Sequence, residues 1–336
     1  MEAGKTALER ISDKVIFTTG PSSESVNILR QMATLPNAAV SFRINTSHTD
    51  ILKLSDWLKV LSNLRNEIGN NFEIILDLQG AKARIGEYPA CESLPTEVIL
   101  FFGEKSSEIG RIPVPLESVF SKTNVGDKLF INDKKVILSV EGKTSDTLSC
   151  KVDKNGCVAA YKGINAPERV FEPARITSKD KAAIEASQFI DNLSYAISFV
   201  GDGKEHEMFK PFTGNHRLIA KIEQLKAFEH LEKIAVKFDE LWLCRGDLGA
   251  EAGLKKLGSL QRKFVSKISS LKKPCILAGE VLGSTVWSSQ PSRGEIVQLD
   301  NALHEGFSGF VLSDETACGS NVEALLNFLE NWFAYV

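Results

Sequence analysis

Short apolar runs alternate along the chain with longer stretches whose apolar residues fall three or four apart. Lys14–Thr19, Ala38–Ile44 and Phe72–Leu78 are runs of the first kind and read as strands buried on both faces. Gly20-Pro21-Ser22-Ser23 closes the first strand and opens a helical turn, because proline suits the first turn and serine caps it. Ile51, Leu54, Leu58, Leu61, Leu64 and Ile68 lay one apolar stripe along a helix over Thr49–Ile68, capped by Thr49 or Asp50. Beyond Gly86 the texture changes. Val98–Phe102, Lys128–Ile131, Val136–Val140 and Thr147–Val152 are short, β-like and punctuated by Gly, Asn and Asp, which predicts an inserted small β domain over residues 87–172.

The alternation returns at Ser178. Strands are expected at Ser194–Val200, Leu218–Ile222, Glu240–Cys244, Cys275–Ala278 and Gly309–Leu312, with helices over 178–188, 224–236, 256–272, 292–305 and 321–334. The stretch Gly201–Asn215, interrupted by Pro211 and Gly214, is too broken for a long helix. Three strands before the insertion and five after it make eight, all in βα order. Such units close an α/β fold, the (β/α)8 TIM barrel, from residues 1–86 and 173–336.

Composition narrows the chemistry. The 336 residues suit a barrel plus an insertion. A net charge of -3 supplies no global basic field for nucleic acid or an anionic membrane, so local cations must hold any anionic ligand. No apolar run reaches a membrane span of about 18 residues. The first residues lack the apolar segment of a secretory signal, so a cytoplasmic protein is expected. The six cysteines form no CxxC pair and read as reduced thiols.

Barrel enzymes place their chemistry where strands end. Here the ends are polar: Arg43 to His48, Asp77 to Gln79, Lys221 to Glu223, Arg245 to Asp247, and Ser313 to Glu315. Period-2 spacing points alternate residues to one side. Glu223 and Asp247 are two carboxylates on neighbouring strands, the donor set of a hard divalent cation that shares its remaining positions with substrate oxygens. Lys221 and Arg43 are fixed cations for a phosphoryl group, whose transfer is mostly positioning and charge neutralisation. Gly246 lets a backbone N–H approach an anion closely. No GxxxxGK[ST] phosphate loop and no protein-kinase signature occurs.

At these residues the chain resembles the pyruvate kinase family. The matching pieces are KVIFTTGPSS, FRINTSH, LDLQGAKARIGE, YKGINAP, SFV, AKIE, RGDLGAE, PSRGEI and LSDETACG, in family order. The resemblance implies transfer of the phosphoryl group of phosphoenolpyruvate to ADP, giving ATP and pyruvate. It implies Mg2+ or Mn2+ on Glu223 and Asp247, Lys221 stabilising the phosphoryl group in flight, and Arg43 holding a phosphate. The substrate carboxylate would meet the backbone at Gly246 and Asp247, beside Gly279. His48, Arg84 and Lys162 would serve the nucleotide near Thr19 and Pro21. The inserted domain would be a small β-barrel lid bringing Asp133 over the nucleotide. Asn45, Ser47 and Asp77 match K+ ligands. Lys82 stands where K+-dependent members carry Glu, so K+ is expected not to be required. The chain ends at Val336, so the family's C-terminal allosteric domain is expected to be missing, and a homo-oligomer through the barrel stays open.

Three departures from the family pattern stand out. Ala278-Gly279-Glu280-Val281-Leu282 replaces the usual A-T-Q-M-L and removes a hydroxyl from the substrate site, leaving Ser313 to reach a proton-donating water. Phosphoryl transfer does not need that hydroxyl, whereas protonation of enolpyruvate does, and Gly279→Thr is expected to speed it. Gln79 and Gly201 stand where Lys and Arg are usual. Lys134-Lys135 follows Asp133 in place of Asp-Gly. These changes favour an alternative: a catalytically impaired paralogue that binds phosphoenolpyruvate or nucleotide as a sensor or partner subunit. A lyase or aldolase on the same metal is a third reading, opposed by the retained lid and Arg84.

Overall fold

A computed structural model describes residues 13–80, 83–132, 134–166, 171 and 176–335. In chain order the first strands are β1 (Lys14–Thr18), β2 (Ala39–Asn45) and β3 (Glu73–Leu78). A second unit then contributes β4 (Glu97–Phe102), β5 (Arg111–Val114), β6 (Lys128–Ile131), β7 (Val136–Lys143), β8 (Thr147–Lys154) and β9 (Ile164–Asn165). Last come β10 (Leu193–Ile197), β11 (Arg217–Ile222), β12 (Glu240–Cys244), β13 (Cys275–Ala278) and β14 (Gly309–Leu312).

The first and last groups form a closed parallel barrel in the order β1-β14-β13-β12-β11-β10-β3-β2. β3, β12, β13 and β14 are buried at every residue, which is why they read as unbroken apolar runs. The helices outside obey their end signals. Asp50 accepts the Lys53 N–H at 2.8 Å to start Ile51–Ile68, and Gly69 ends that helix at φ 63. Ser292 and Glu295 form a capping box at the start of Arg293–His304. Gly309 admits the closing strand pair: a Cβ there would lie 2.0 Å from the Lys14 carbonyl oxygen.

Three layers stack along the barrel axis. In the middle, Ile16, Ile75, Ala196, Ile219, Trp242, Ile276 and Val311 form one apolar cluster. Toward the strand starts lies a charged floor. Lys14 Nζ meets Glu73 at 2.6 Å and Glu240 at 3.0 Å; Arg217 meets the same two carboxylates at 2.7 and 3.3 Å. The Ser194 hydroxyl also donates to Glu73, and the Trp242 indole N–H donates to Glu240 at 2.6 Å. Burial pushes the Glu73 carboxyl up, but Lys14, then Ser194 and Arg217, more than offset this and hold it below its ordinary value. The third layer, at the strand ends, is the candidate site.

The second unit spans Gly80–Thr177 and carries a six-stranded sheet in the order β5-β4-β8-β7-β6-β9. Its core holds Leu100, Ile112, Val136, Leu138 and Leu148. Ala83, Ile85 and Phe171 join the same core, so the unit reaches past Gly86 on its N-terminal side.

Two local expectations fail. Lys204–Thr213 forms a ten-residue helix despite Pro211. Gly203 at φ 86 and Gly214 bound that helix rather than break it, and Pro211 falls near its C-terminal end. Residues 224–236 do not form one helix: a 3-10 turn over Leu225–Glu229 precedes a helix over Leu231–Lys237. Among the described residues no helix is long and apolar enough to cross a membrane. All six cysteines are free thiols.

Candidate active site

β12, β11, β10, β3 and β2 are consecutive around the barrel, so their C-terminal ends lie side by side. Arg43 on β2 is level with Ile75 on β3, Asp77 on β3 with Ala196 on β10, and Lys221 on β11 with Trp242 on β12. Each of these partners belongs to the apolar middle layer, so all three polar side chains turn inward above it.

Asp77 is the hub. Arg43 donates to its Oδ2 from Nε at 2.8 Å and from Nη2 at 2.6 Å, while Nη1 donates to Thr18 at 2.9 Å. Lys221 Nζ lies 3.0 Å from Asp77 Oδ1, 2.9 Å from Glu223 Oε1 and 3.0 Å from the Ser198 hydroxyl. The ammonium has three protons and all three are committed. Burial alone would push Lys221 down, but Asp77 and Glu223 hold it well above its ordinary value, so it is a permanent cation. Burial likewise opposes charge on Asp77, and Lys221 and Arg43 overcome it, keeping that carboxyl low.

Glu223 behaves differently. Burial raises its carboxyl; Lys221 opposes this, and the nearby carboxylates of Asp247 and Asp77 add to the rise. Its Oε2 accepts the Phe199 N–H at 2.8 Å, and Phe199 holds a left-handed φ of 59, an uncommon conformation for a bulky side chain. Glu223 thus stands among more negative charge than Lys221 neutralises. That surplus fits a divalent cation on Glu223 and Asp247. Among the described residues no group of three or more His, Cys, Asp or Glu comes together, so the donor set stays at two carboxylates.

Asp247 and Gly246 sit in the first turn of the helix Arg245–Ala252, where backbone N–H groups have no intrahelical acceptor and favour an anion. Arg245 turns away from that site. Its guanidinium donates to the Gly279 carbonyl at 2.9 and 2.6 Å and to the Glu280 carbonyl at 2.9 Å. The two clamped residues are both left-handed, at φ 92 and φ 50. A Cβ on Gly279 would lie 3.0 Å from the Gly246 nitrogen. The expectation that Gly279→Thr supplies the missing hydroxyl therefore meets a backbone that a β-branched residue does not fit.

The other expected residues fall as follows. Thr19 donates its hydroxyl to the Arg43 carbonyl at 3.3 Å, and Pro21 opens the 3-10 turn Pro21–Ser23. Asn45 Oδ1 accepts the Ser47 N–H at 3.1 Å, and its carbonyl accepts the His48 N–H at 3.2 Å. Ser313, after β14, donates its N–H to the buried Glu315 at 2.6 Å. In the second unit Arg84 donates to the Tyr161 carbonyl at 2.8 Å, and the Lys162 carbonyl accepts the Ile85 N–H at 3.0 Å. Lys82 and Asp133 lie outside the described residues. The structure gives roles to Ser198, Phe199, Thr18 and Arg245, which sequence reasoning named only within motifs or strand ends. The SFV run beside a polar strand end was the available signal for the first two.

Comparison with known proteins gives a consistent result. The family model "Pyruvate kinase, barrel domain" matches residues 10–324. A pyruvate kinase of Thermotoga maritima is 29% identical over 318 residues, covering 92% of this chain and 68% of that protein. One of Agrobacterium vitis is 29% identical over 312 residues, covering 91% and 65% respectively; this chain thus spans about two thirds of the length of these two relatives. Among solved structures, a pyruvate kinase of Pyrobaculum aerophilum superposes with a TM-score of 0.81 at 25% identity, over 97% of this chain and 74% of that one. One from Cryptosporidium parvum shares the fold with a TM-score of 0.83 at 23% identity, over 98% of this chain and 70% of that one.

Proposed function

Because the chain belongs to the pyruvate kinase family, we propose that its barrel moves the phosphoryl group of phosphoenolpyruvate to ADP, giving ATP and pyruvate. The observation that carries this reading is the buried Arg43–Asp77–Lys221–Glu223 chain set beside Asp247. Two cations converge on one hub and two carboxylates flank them, which is the electrostatic equipment of phosphoryl transfer.

Glu223 and Asp247 would hold Mg2+ or Mn2+, which supplies charge neutralisation to the phosphoryl oxygens when bound. Lys221 admits the phosphoryl group by exchanging one of its three partners, and Glu223 is the one it gives up. Asp77 and Ser198 keep the ammonium aimed while it does so. Arg43 is braced by Asp77 and Thr18 and offers the remainder of its guanidinium fork from the β2 side. The backbone N–H groups at Gly246 and Asp247, in the first turn of the Arg245–Ala252 helix, orient the substrate carboxylate. Thr19, Pro21, His48, Arg84, Lys162 and Asp133 are the residues assigned to the nucleotide. Lys82 stands where K+-dependent members carry Glu, while Asn45, Ser47 and Asp77 match the K+ ligands, and on that ground added K+ is dispensable. Ser313 orders the water that delivers a proton to the enolate.

A second reading has its own observation. Gln79 and Gly201 stand where Lys and Arg are usual, and Gly279 carries no hydroxyl on a left-handed backbone, which favours a binding protein that transfers poorly. Protein, Mg2+, phosphoenolpyruvate and ADP are mixed and ATP is measured. Steady ATP formation supports the transferase. Tight phosphoenolpyruvate binding with ATP at background supports the sensor and overturns the first reading.

A further inference from the structure

Glu251 is the one carboxylate of the Arg245–Ala252 helix that the proposed chemistry leaves without a task. It lies one helical turn beyond Asp247, and i, i+4 spacing places both on one helix face. Its Oε1 accepts the Leu225 N–H at 3.1 Å. Leu225 is two residues beyond Glu223, where the chain leaving β11 enters the turn Leu225–Glu229.

This bond joins the two segments that bear the proposed metal carboxylates. The last residues of β11 and β12 level with each other are Ile222 and Leu243. Past that pair the segments diverge, one into the 3-10 turn and the other into the helix, and Glu223 and Asp247 both lie past it. Strand pairing therefore does not set their separation, whereas the bond from the Leu225 N–H to Glu251 spans the two segments past it. Burial raises the Glu251 carboxyl, the Leu225 N–H opposes this, and the charges of Asp247 and Glu223 add to the rise, which places the group within reach of both fields. It does not come together with them as a three-ligand cluster among the described residues.

We infer that Glu251 is a positioning residue that, through the Leu225 N–H, holds the Glu223 and Asp247 segments at the separation a divalent cation requires. The inference rests on the metal site proposed above. Orientation by such outer groups typically governs metal affinity by about 10–100-fold.

Mn2+ binding to the full chain, followed by the loss of the free-ion electron paramagnetic resonance signal without substrate, tests it apart from turnover. Wild-type protein that takes up no Mn2+ overturns the metal site itself. If wild type binds, Glu251→Ala is expected to weaken Mn2+ about tenfold, with a metal-free Tm within about 3 °C of wild type. Glu251→Gln keeps an oxygen acceptor for the same N–H and should stay within about threefold of wild type. Leu225→Pro removes the donor and leaves Glu251 in place. Proline is tolerated at the first position of the turn, and Gln224 already holds the extended φ -125, ψ 147 that precedes proline readily; this variant should match the alanine variant. Unchanged Mn2+ affinity in Glu251→Ala, or an equal fall in Glu251→Gln and Glu251→Ala, overturns the inference, the second result showing that charge and not the tie is at work.

Discussion

Replacing Lys14 with methionine tests the charged barrel floor. Lys14 Nζ lies 2.6 Å from Glu73 and 3.0 Å from Glu240, and the Glu240 side chain is only 2% exposed. At an effective dielectric constant of about 20, each such contact is worth roughly 5–6 kcal/mol before desolvation. Most of that is offset by taking the charges out of water, so the pair itself contributes little. Removing one partner is another matter, because it strands buried charge at a cost of about 3–5 kcal/mol. Arg217 still reaches both carboxylates, but it is half exposed and screened. The lower end, about 3 kcal/mol at pH 7, is therefore expected from the midpoint of urea unfolding. The loss should depend on pH. Glu73 is held below its ordinary 4.5, so its contribution is complete above pH 4.5 and is lost as the pH falls through the lower folded value. In Lys14→Met the carboxyl protonates more readily, so the gap between variant and wild type should narrow below pH 4.5. Adding Glu240→Gln to the variant should recover part of the loss. A loss under about 1 kcal/mol at pH 7, or one that stays constant down to pH 3, would refute the reasoning, since breaking a buried pair must exceed the worth of an exposed one.

Further expectations concern the strand ends. Lys221→Met should lower kcat for ATP formation by about 10²–10³ or more, while Mn2+ affinity holds or rises because Glu223 loses its ammonium partner; a parallel collapse of Mn2+ binding would show that Lys221 is structural. Gly279→Thr should leave pyruvate release no faster and lower stability by about 1–3 kcal/mol, the usual cost of a strained backbone; a faster ketone signal in a stable variant would show that the Arg245 clamp yields. Activity should change less than about tenfold between zero and saturating KCl if Lys82 serves as the tethered cation, and a larger activation would remove it from that role.

Much of the fold was legible because the strands announce themselves. Glu240–Cys244, Cys275–Ala278 and Gly309–Leu312 form strands at the bounds their apolar runs set. Boundaries failed where local punctuation has two meanings. Gly203 and Gly214 look like breaks and act as helix ends, while Ala83 and Ile85 carry no β signal yet enter the core of the second unit. At the site, residue type was readable and partnership was not. Lys221 and Glu223 are two apart on one strand, but that Asp77 binds Lys221 and Arg43 together depends on barrel order, which no local pattern encodes. Gly279 was recognised as a missing hydroxyl. Its left-handed backbone and the Arg245 grip became visible only in three dimensions.

The point of insertion bears on how the chain folds. β3 and β10 are neighbours in the barrel, paired from Ile74 with Leu193 to Leu78 with Ile197, yet the whole Gly80–Thr177 unit separates them in sequence. Closing an unstructured loop of that length costs roughly 4 kcal/mol of chain entropy. The unit's own ends pair with each other: Ile164 donates its N–H to Ala83 at 2.8 Å, and Arg84 bridges to Gly163. Once folded, it returns the chain close to where it departed and turns a distant closure into a local one. The Asp180 carboxylate then accepts the Gln79 N–H at 2.9 Å, across the same gap. The insert would thus act as the clasp of barrel assembly, and its folding would come before the ring is sealed.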